Sequence, residues 1–312
     1  MRTALWLAVR TGTALLTLLA VSVLVFAASR ALPGSYAQLA LGPYASADDR
    51  AQVTADLGLD DGLPTQLVRW LGTVLQGDLG TSFVTHRPVA TELAERLPIT
   101  AGIAAIALVL TIAIGVPLGF LATRSRGRSG PAGRLVSALG ISLPEFVVGS
   151  AVVFVVSRYG LGLTIGGSSA DALLLPGAVL AVFGIAATAR ATRDAVLQVS
   201  VEPYVAASVA RGATAWQTVR RHVLRNASIP VLTVTSTILA SLLGGTVIVE
   251  NVFDVPGLGS YLITALDRRD YLVVQAGTLL VATIFITTSL VVDLLAGWLD
   301  PRLRAQLTGV GR

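Results

Sequence analysis

Six stretches of the chain are apolar over enough length to be read as membrane crossings. They are Thr11–Ala28, Ile99–Ala122, Leu135–Val156, Leu173–Ala189, Ile229–Val249 and Val273–Leu299. A helix rises 1.5 Å per residue, so about 20 apolar residues cross the hydrocarbon core of a bilayer. The first run follows Arg2 and Arg10 and ends at Ala27-Ala28-Ser29, which is also the layout of a signal peptide. It is longer than the usual apolar region of such a peptide, and five more runs follow, so an uncleaved helix is expected. Two intervening segments, 30–98 and 190–228, are too long to be simple connectors. The expected organisation is therefore a first transmembrane helix over 1–29, an outer helical cap over 30–98, and a core transmembrane domain over 99–312 that carries a cytoplasmic loop at 190–228. The fold class is all-α and polytopic, with six transmembrane helices. No strong internal repeat and no low-complexity tract interrupts this plan.

Composition agrees with lipid as the solvent. The chain is 54% hydrophobic and 13% charged over 312 residues, with a mean hydropathy of +0.75. A soluble domain carries about a quarter charged residues. The net charge is +5, but the basic residues fall between apolar runs and form no patch interleaved with aromatics, so nucleic-acid binding is not indicated. Arginine placement sets the orientation. With the N-terminus inside, the cytoplasmic segments hold Arg2, Arg10, Arg124, Arg126, Arg128, Arg134, Arg190, Arg193, Arg211, Arg220, Arg221, Arg225, Arg302, Arg304 and Arg312. The outer segments hold most of the acids, among them Asp78, Glu92, Glu95, Asp171, Glu250, Asp254, Asp267 and Asp270. Both termini are thus expected in the cytoplasm. The chain has no cysteine, which excludes disulfides and thiolate chemistry. Every Lys/Arg position is Arg, so a phosphate-binding Gly-x-x-x-x-Gly-Lys loop is impossible.

The 190–228 segment reads as a helical hairpin. Val201–Arg211 is a short helix, and Gly212 fits the left-handed position that ends one. Thr214 with Gln217 has capping-box form, so a second helix starts there and runs through Trp216, Val219 and His222 to about Arg225. Such a lever fits a groove on a soluble partner; an amphipathic pair on lipid headgroups is the alternative. Within the spans, ionisable residues are costly and often functional. Glu145, after Pro144 in the middle of the third span, is a candidate for the translocation pathway, where it could accept an amine or cation. A hydrogen bond to another helix is the other reading. Asp293, near the inner end of the sixth span, is read as structural. Thr111, Ser150, Thr235 and Ser241 line a pore or join helices, the second being commoner. Gly244-Gly245 and Gly115-Val-Pro117 permit close packing or a kink. His86 and His222 fall on opposite sides of the membrane, so no metal site or catalytic pair is expected from them.

The segment Tyr204-Val-Ala-Ala-Ser-Val-Ala-Arg-Gly212, followed by Arg221-His-Val-Leu-Arg-Asn-Ala-Ser-Ile-Pro230, resembles the "EAA" loop of ABC importer permeases of the dipeptide/oligopeptide/nickel family. Leu57-Gly-Leu-Asp60, Trp70-Leu71, Gly77-Asp-Leu-Gly-Thr-Ser82, Arg87-Pro-Val89, Arg96-Leu-Pro-Ile-Thr100, Ser142-Leu-Pro-Glu-Phe146, Glu250-Asn-Val-Phe253, Pro256-Gly-Leu-Gly259 and Arg269-Asp-Tyr271 are similar to that branch in order and spacing. The long segment after the first helix matches its first-permease type. The resemblance implies a type I importer permease in the inner membrane, without catalytic residues or cofactors of its own. It implies a second homologous permease, two ATPase domains that bind ATP and Mg, and an extracytoplasmic binding protein or lipoprotein as partners. It places Ala206, Ala207 and Ser208 in the coupling triplet and Gly212 as its glycine, with His222 and Arg225 in the same coupling loop. The triplet's acid is missing; Glu202, one turn earlier, could substitute. Short peptides are the implied cargo, with nickel chelates, glutathione or haem as alternatives. An ion-driven secondary transporter is the rival class, but it would show more embedded acids and two related halves.

Overall fold

The computed structural model describes residues 2–31, 46, 48, 54, 60–124, 140 and 142–299. These residues form helices joined by turns and loops, with one isolated bridge between Thr81 and Pro88. In chain order the helices are α1 (Arg2–Ala31), α2 (Leu63–Leu75), α3 (Val89–Arg124), α4 (Glu145–Tyr159), α5 (Leu174–Ser200), α6 (Pro203–Ala210) and α7 (Ala215–Thr218). A π-helical segment (Val219–Val223), α8 (Leu224–Val252), α9 (Leu258–Asp267) and α10 (Tyr271–Leu299) follow. Among the described residues, four helices are long and apolar enough to cross a membrane, over Trp6–Arg30, Val89–Thr123, Leu174–Ser200 and Tyr271–Val292. The fifth expected span falls inside the 29-residue α8. The third is covered by α4 only from Glu145 onward, and 135–139 and 141 lie outside the described residues.

Three sequence expectations change in detail. The fourth apolar run ends at Ala189, but α5 continues to Ser200. The second arm of the hairpin does not stop near Arg225: helix continues from Ala215 through the π segment into α8. Glu145 is not in mid-helix either. It is the first residue of α4, and Pro144 before it is extended, at φ −61° and ψ 138°. Proline has no N–H to give and bars the preceding residue from helical geometry, so a new helix starts there.

The chain forms two compact units, each discontinuous in sequence. The first comprises residues 1–10, 99–256 and 288–312; the second comprises 11–98 and 257–287. In the first, α3, α5 and α8 supply a core of Ile103, Ala107, Val179, Leu180, Ala181, Ile238, Leu242 and Val249, closed by Phe253 and Val255. Lipid gives packed helices no hydrophobic advantage over separated ones, so contact depends on small residues that let backbones approach. A Cβ on Gly119 of α3 would lie 2.4 Å from the Ala189 carbonyl oxygen of α5, and one on Gly177 would lie 2.6 Å from Ile106. Gly115 meets Thr188 and the Ile185 carbonyl in the same way. The Gly115-Val-Pro117 stretch therefore serves close packing, and α3 runs through it unbroken. Thr100 of α3 donates a 2.6 Å hydrogen bond to the buried Glu250 of α8. In the second unit, Val89 and Leu93 of α3 pack with Leu258 and Ala265 of α9 and Val273 and Ala276 of α10.

Candidate functional site

The hairpin between α5 and α8 is built as its sequence predicts at its corner. Gly212 adopts φ +84° and would have nothing within 4 Å of an added Cβ, so glycine is required there for its backbone, not for space. Thr214 and Gln217 form the reciprocal capping box. The Gln217 amide N–H donates to Thr214 Oγ1 at 3.3 Å, and the Thr214 N–H donates to Gln217 Oε1 at 3.0 Å. Only Val201 and Glu202 separate α5 from α6. Glu202 is the N-cap of α6, in extended geometry and exposed, so it lies outside the helix whose face it was expected to share.

Below this corner the hairpin has its own core. Ala195 and Val196 of α5, Val205 of α6, Val223 of the π segment, and Ala227 and Val231 of α8 are buried together, with Val116 and Phe120 of α3 against them. Full burial of each valine among them stabilises by about 1.5–3 kcal/mol, enough to hold the arms as one body. Ser208 and Thr218 are both buried, with hydroxyls 3.4 Å apart, and the Tyr204 and His222 rings lie 6.2 Å apart.

This packing divides the expected coupling residues. Ala206 and Gly212 are exposed and Ala207 is partly so. Ser208 faces inward and joins the two arms, so it shapes the hairpin and is not available to a partner. His222 is half-buried beside Tyr204 and also lines an open cleft with Trp216, Gln217, Arg220, Arg221 and Asn226. Arg225 lies on α8, with its side chain outside the described residues. The exposed surface adds residues that the motif alone did not single out as contacts: Tyr204, Val209 and Trp216, at 39%, 57% and 59% exposure, beside Arg211, Arg220 and Arg221. A Trp beside the glycine corner is the sequence signal that could have pointed to them.

Of the intramembrane candidates, Glu145 is half-buried at the start of α4, and its carboxylate lies over the bare backbone of α8. A Cβ on Gly245 would stand 2.5 Å from Glu145 Oε2 and 2.7 Å from Leu180 Cδ1. Gly245 thus makes room for the acid, while Gly244 beside it faces open space. Asp293 lies on α10, with its side chain outside the described residues. Thr111 and Thr235 are buried, whereas Ser150 and Ser241 are exposed. Among the described residues no cluster of potential metal ligands occurs.

The second unit holds a buried polar centre whose acid Glu92 enters the sequence only as part of a charge count. Glu92 is 1% exposed. It accepts hydrogen bonds from Thr85 Oγ1 at 3.0 Å and from the Tyr261 hydroxyl, and Arg87 and Arg96 stand at 3.9 Å. Arg96 also lies 4.0 Å from the centre of the Tyr261 ring. Burial, then the bond to Glu92, pushes the Tyr261 phenol above its ordinary range. Nearby, Ser82 donates to the buried Asp270 at 2.6 Å, and Asp270 also accepts the Val84 N–H at 3.3 Å. A buried carboxylate costs several kcal/mol unless donors surround it. The Gly-Asp-Leu-Gly-Thr-Ser, Arg-Pro-Val and Arg-Asp-Tyr segments supply those donors or the turns that aim them.

Comparison with known proteins places the chain. Residues 115–305 match the family model described as "Binding-protein-dependent transport system inner membrane component", and residues 4–104 match the model of that system's membrane component N-terminal region. A glutathione transport system permease protein, GsiC, of Salmonella paratyphi A is 39% identical, with 92% of this chain and 95% of the relative covered. A probable peptide ABC transporter permease of Sinorhizobium fredii is 34% identical over 91% of this chain and 94% of its own length. A putative peptide transport system permease of Brucella abortus is also 34% identical, over 95% and 97%. Among solved structures, an inward-facing MetNI methionine ABC transporter has the same fold in part: TM-score 0.53, 19% identity, 67% of this chain and 96% of that one.

Proposed function

The chain belongs to the family of binding-protein-dependent transport system inner membrane components, and from that premise we propose that it is the first-type permease of an ABC importer of short peptides. In this reading six helices cross the inner membrane, with both termini in the cytoplasm. A second homologous permease completes the pathway, two ATPase domains bind ATP and Mg, and an extracytoplasmic binding protein delivers cargo. The chain itself catalyses nothing. The observation that carries the proposal is the hairpin at Gly212, whose second arm runs without a break into the long helix α8 and whose first arm is separated from α5 by only Val201 and Glu202. ATP can bias a transporter only by binding its states unequally, and it does so on the ATPases. Their motion reaches this chain through the exposed face of α6 and α7, with Ala206, Ala207, Gly212, His222 and Arg225 at or beside the contact. On the α7 side, continuous helix then carries that motion through the π segment into α8. Glu145 is assigned to the translocation pathway and Asp293 to a structural role.

Short peptides fit the Sinorhizobium and Brucella relatives. The glutathione permease relative keeps the cargo within one chemical class, since glutathione is itself a tripeptide. The deciding experiment reconstitutes both permeases with their ATPases in liposomes. Labelled dipeptide, tripeptide or glutathione should accumulate only when the binding protein and ATP are both supplied. Uptake driven by an ion gradient without ATP would sink the reading.

A further inference from the structure

Helix α2 carries three distinct stripes at helical spacing. Gln66, Trp70 and Val74, with Leu67, form its packed side: Gln66 is buried and donates to the Asp61 carbonyl at 2.8 Å, and Trp70 meets the Phe26 ring at 5.8 Å. Thr65, Arg69 and Thr73 form an exposed polar stripe, with Arg69 paired to Asp61 at 2.6 Å. Between them runs an apolar stripe of Val68, Leu71 and Leu75. Val68 and Leu75 are 69% and 87% exposed. A helix in water does not gain by displaying such a stripe beside a polar one, whereas a helix at a lipid surface does.

The contact with α1 fixes the level. Phe26 lies four residues before Arg30, the end of the apolar span Trp6–Arg30. At 1.5 Å per residue that is about 6 Å inside the end of the span. Interfacial helices bury their apolar face about 5–10 Å into the boundary between headgroups and acyl chains. Trp70, the residue in contact, is of the type enriched at that boundary. Arg30 stacks over the same Phe26 ring at 5.2 Å, with a charged head able to reach the headgroups. Elsewhere on the same span, α1 exposes Leu16, Leu19 and Leu24 at 67%, 50% and 67%.

We propose that α2 is a membrane-interface helix, with its Val68–Leu75 stripe seated among the outer-leaflet lipids and its Thr65–Thr73 stripe facing water. The partner is the lipid surface, and the proposal rests on the permease reading above. The chain has no cysteine, which allows a direct test. Single variants V68C, L75C, T65C and T73C, with L16C and L24C on α1, are spin-labelled in the assembled complex. The complex is held in nanodiscs of phosphatidylethanolamine and phosphatidylglycerol. Relaxation by lipid-soluble oxygen and by a water-soluble nickel chelate is then compared. At V68C and L75C the oxygen-to-nickel ratio should exceed that at T65C and T73C by on the order of tenfold, as expected for the two sides of an interfacial helix. If V68C and L75C were open to nickel while L16C and L24C lay in lipid, the proposal would fail and the permease reading would stand. Shielding of V68C and L75C from both reagents would mean that a protein covers the stripe, and would also overturn the proposal. Nickel access at L16C and L24C would remove the membrane reading itself.

Discussion

At the residue scale, two positions separate backbone need from side-chain need. Gly212 has free space around it but a φ of +84°, so only strain opposes substitution. A β-branched residue resists that region, and leaving it costs the hairpin its corner. Gly212→Val should lower ATPase co-purification and uptake together. Gly212→Asn, which tolerates left-handed geometry, should keep most of both; equal loss in the two variants would mean that the surface of the corner matters and not its shape. Tyr261 is the opposite case. Tyr261→Phe keeps the ring under Arg96 but removes a donor to the buried Glu92. A hydrogen bond to a charged group contributes about 1.5–3 kcal/mol, so the thermal midpoint of the purified complex should fall while cargo affinity of the binding protein is untouched. These residues also mark what the sequence discloses. Gly212, Thr214 and Gln217 were legible because a cap is a local motif. Glu92, Asp270 and Glu250 were not, because their partners Tyr261, Ser82 and Thr100 are 169, 188 and 150 positions away. In the sequence they are acids near span ends, and only packing turns them into buried centres.

At the element scale, the boundaries moved more than the elements did. Hydropathy locates apolar runs, but a helix need not end where lipid does. Below Ala189 the chain stays helical because Ala195 and Val196 still bury against the hairpin. The same core draws the second arm into α8, with a π turn at Val219–Val223 where the two join. Such turns hydrogen-bond five residues apart and recur at functional positions. Helix contact is also decided at this scale. Gly119 and Gly244 both sit in long apolar helices and look equivalent in sequence. Gly119→Leu would drive a side chain into the Ala189 backbone of α5, whereas Gly244→Ala meets nothing within 4 Å in this chain. Overpacking typically costs about 1–3 kcal/mol, and more where backbone must move. Replacing a mid-helix glycine by alanine instead gains about 0.5–1 kcal/mol. Gly119→Leu should therefore reduce the yield of folded protein in detergent, and Gly244→Ala should leave it normal or raised. Reversal of that order in a solubility or melting assay would contradict the α3–α5 contact.

At the scale of the whole molecule, the proposal assigns docking and cargo to different places in the first unit, and one substitution can separate them. Glu145 begins α4 with its carboxylate over Gly245 of α8, while docking is given to α6 and α7. Glu145→Gln keeps the volume and removes the charge. A neutral amide attracts a cationic amine far less than a carboxylate does where water is scarce. If Glu145 meets the cargo, uptake of a peptide with a free N-terminus should fall several-fold, and uptake of the same peptide with its N-terminus acetylated should change little. ATPase co-purification should be unaltered, since the hairpin core and its exposed face do not involve this residue. A merely structural role would instead lower both uptakes alike, together with the melting point, because the loss would come from the α4–α8 contact and not from the charge. The peptide pair therefore carries the discrimination: equal loss for the free and acetylated forms would take Glu145 out of the pathway and leave the coupling hairpin as it stands.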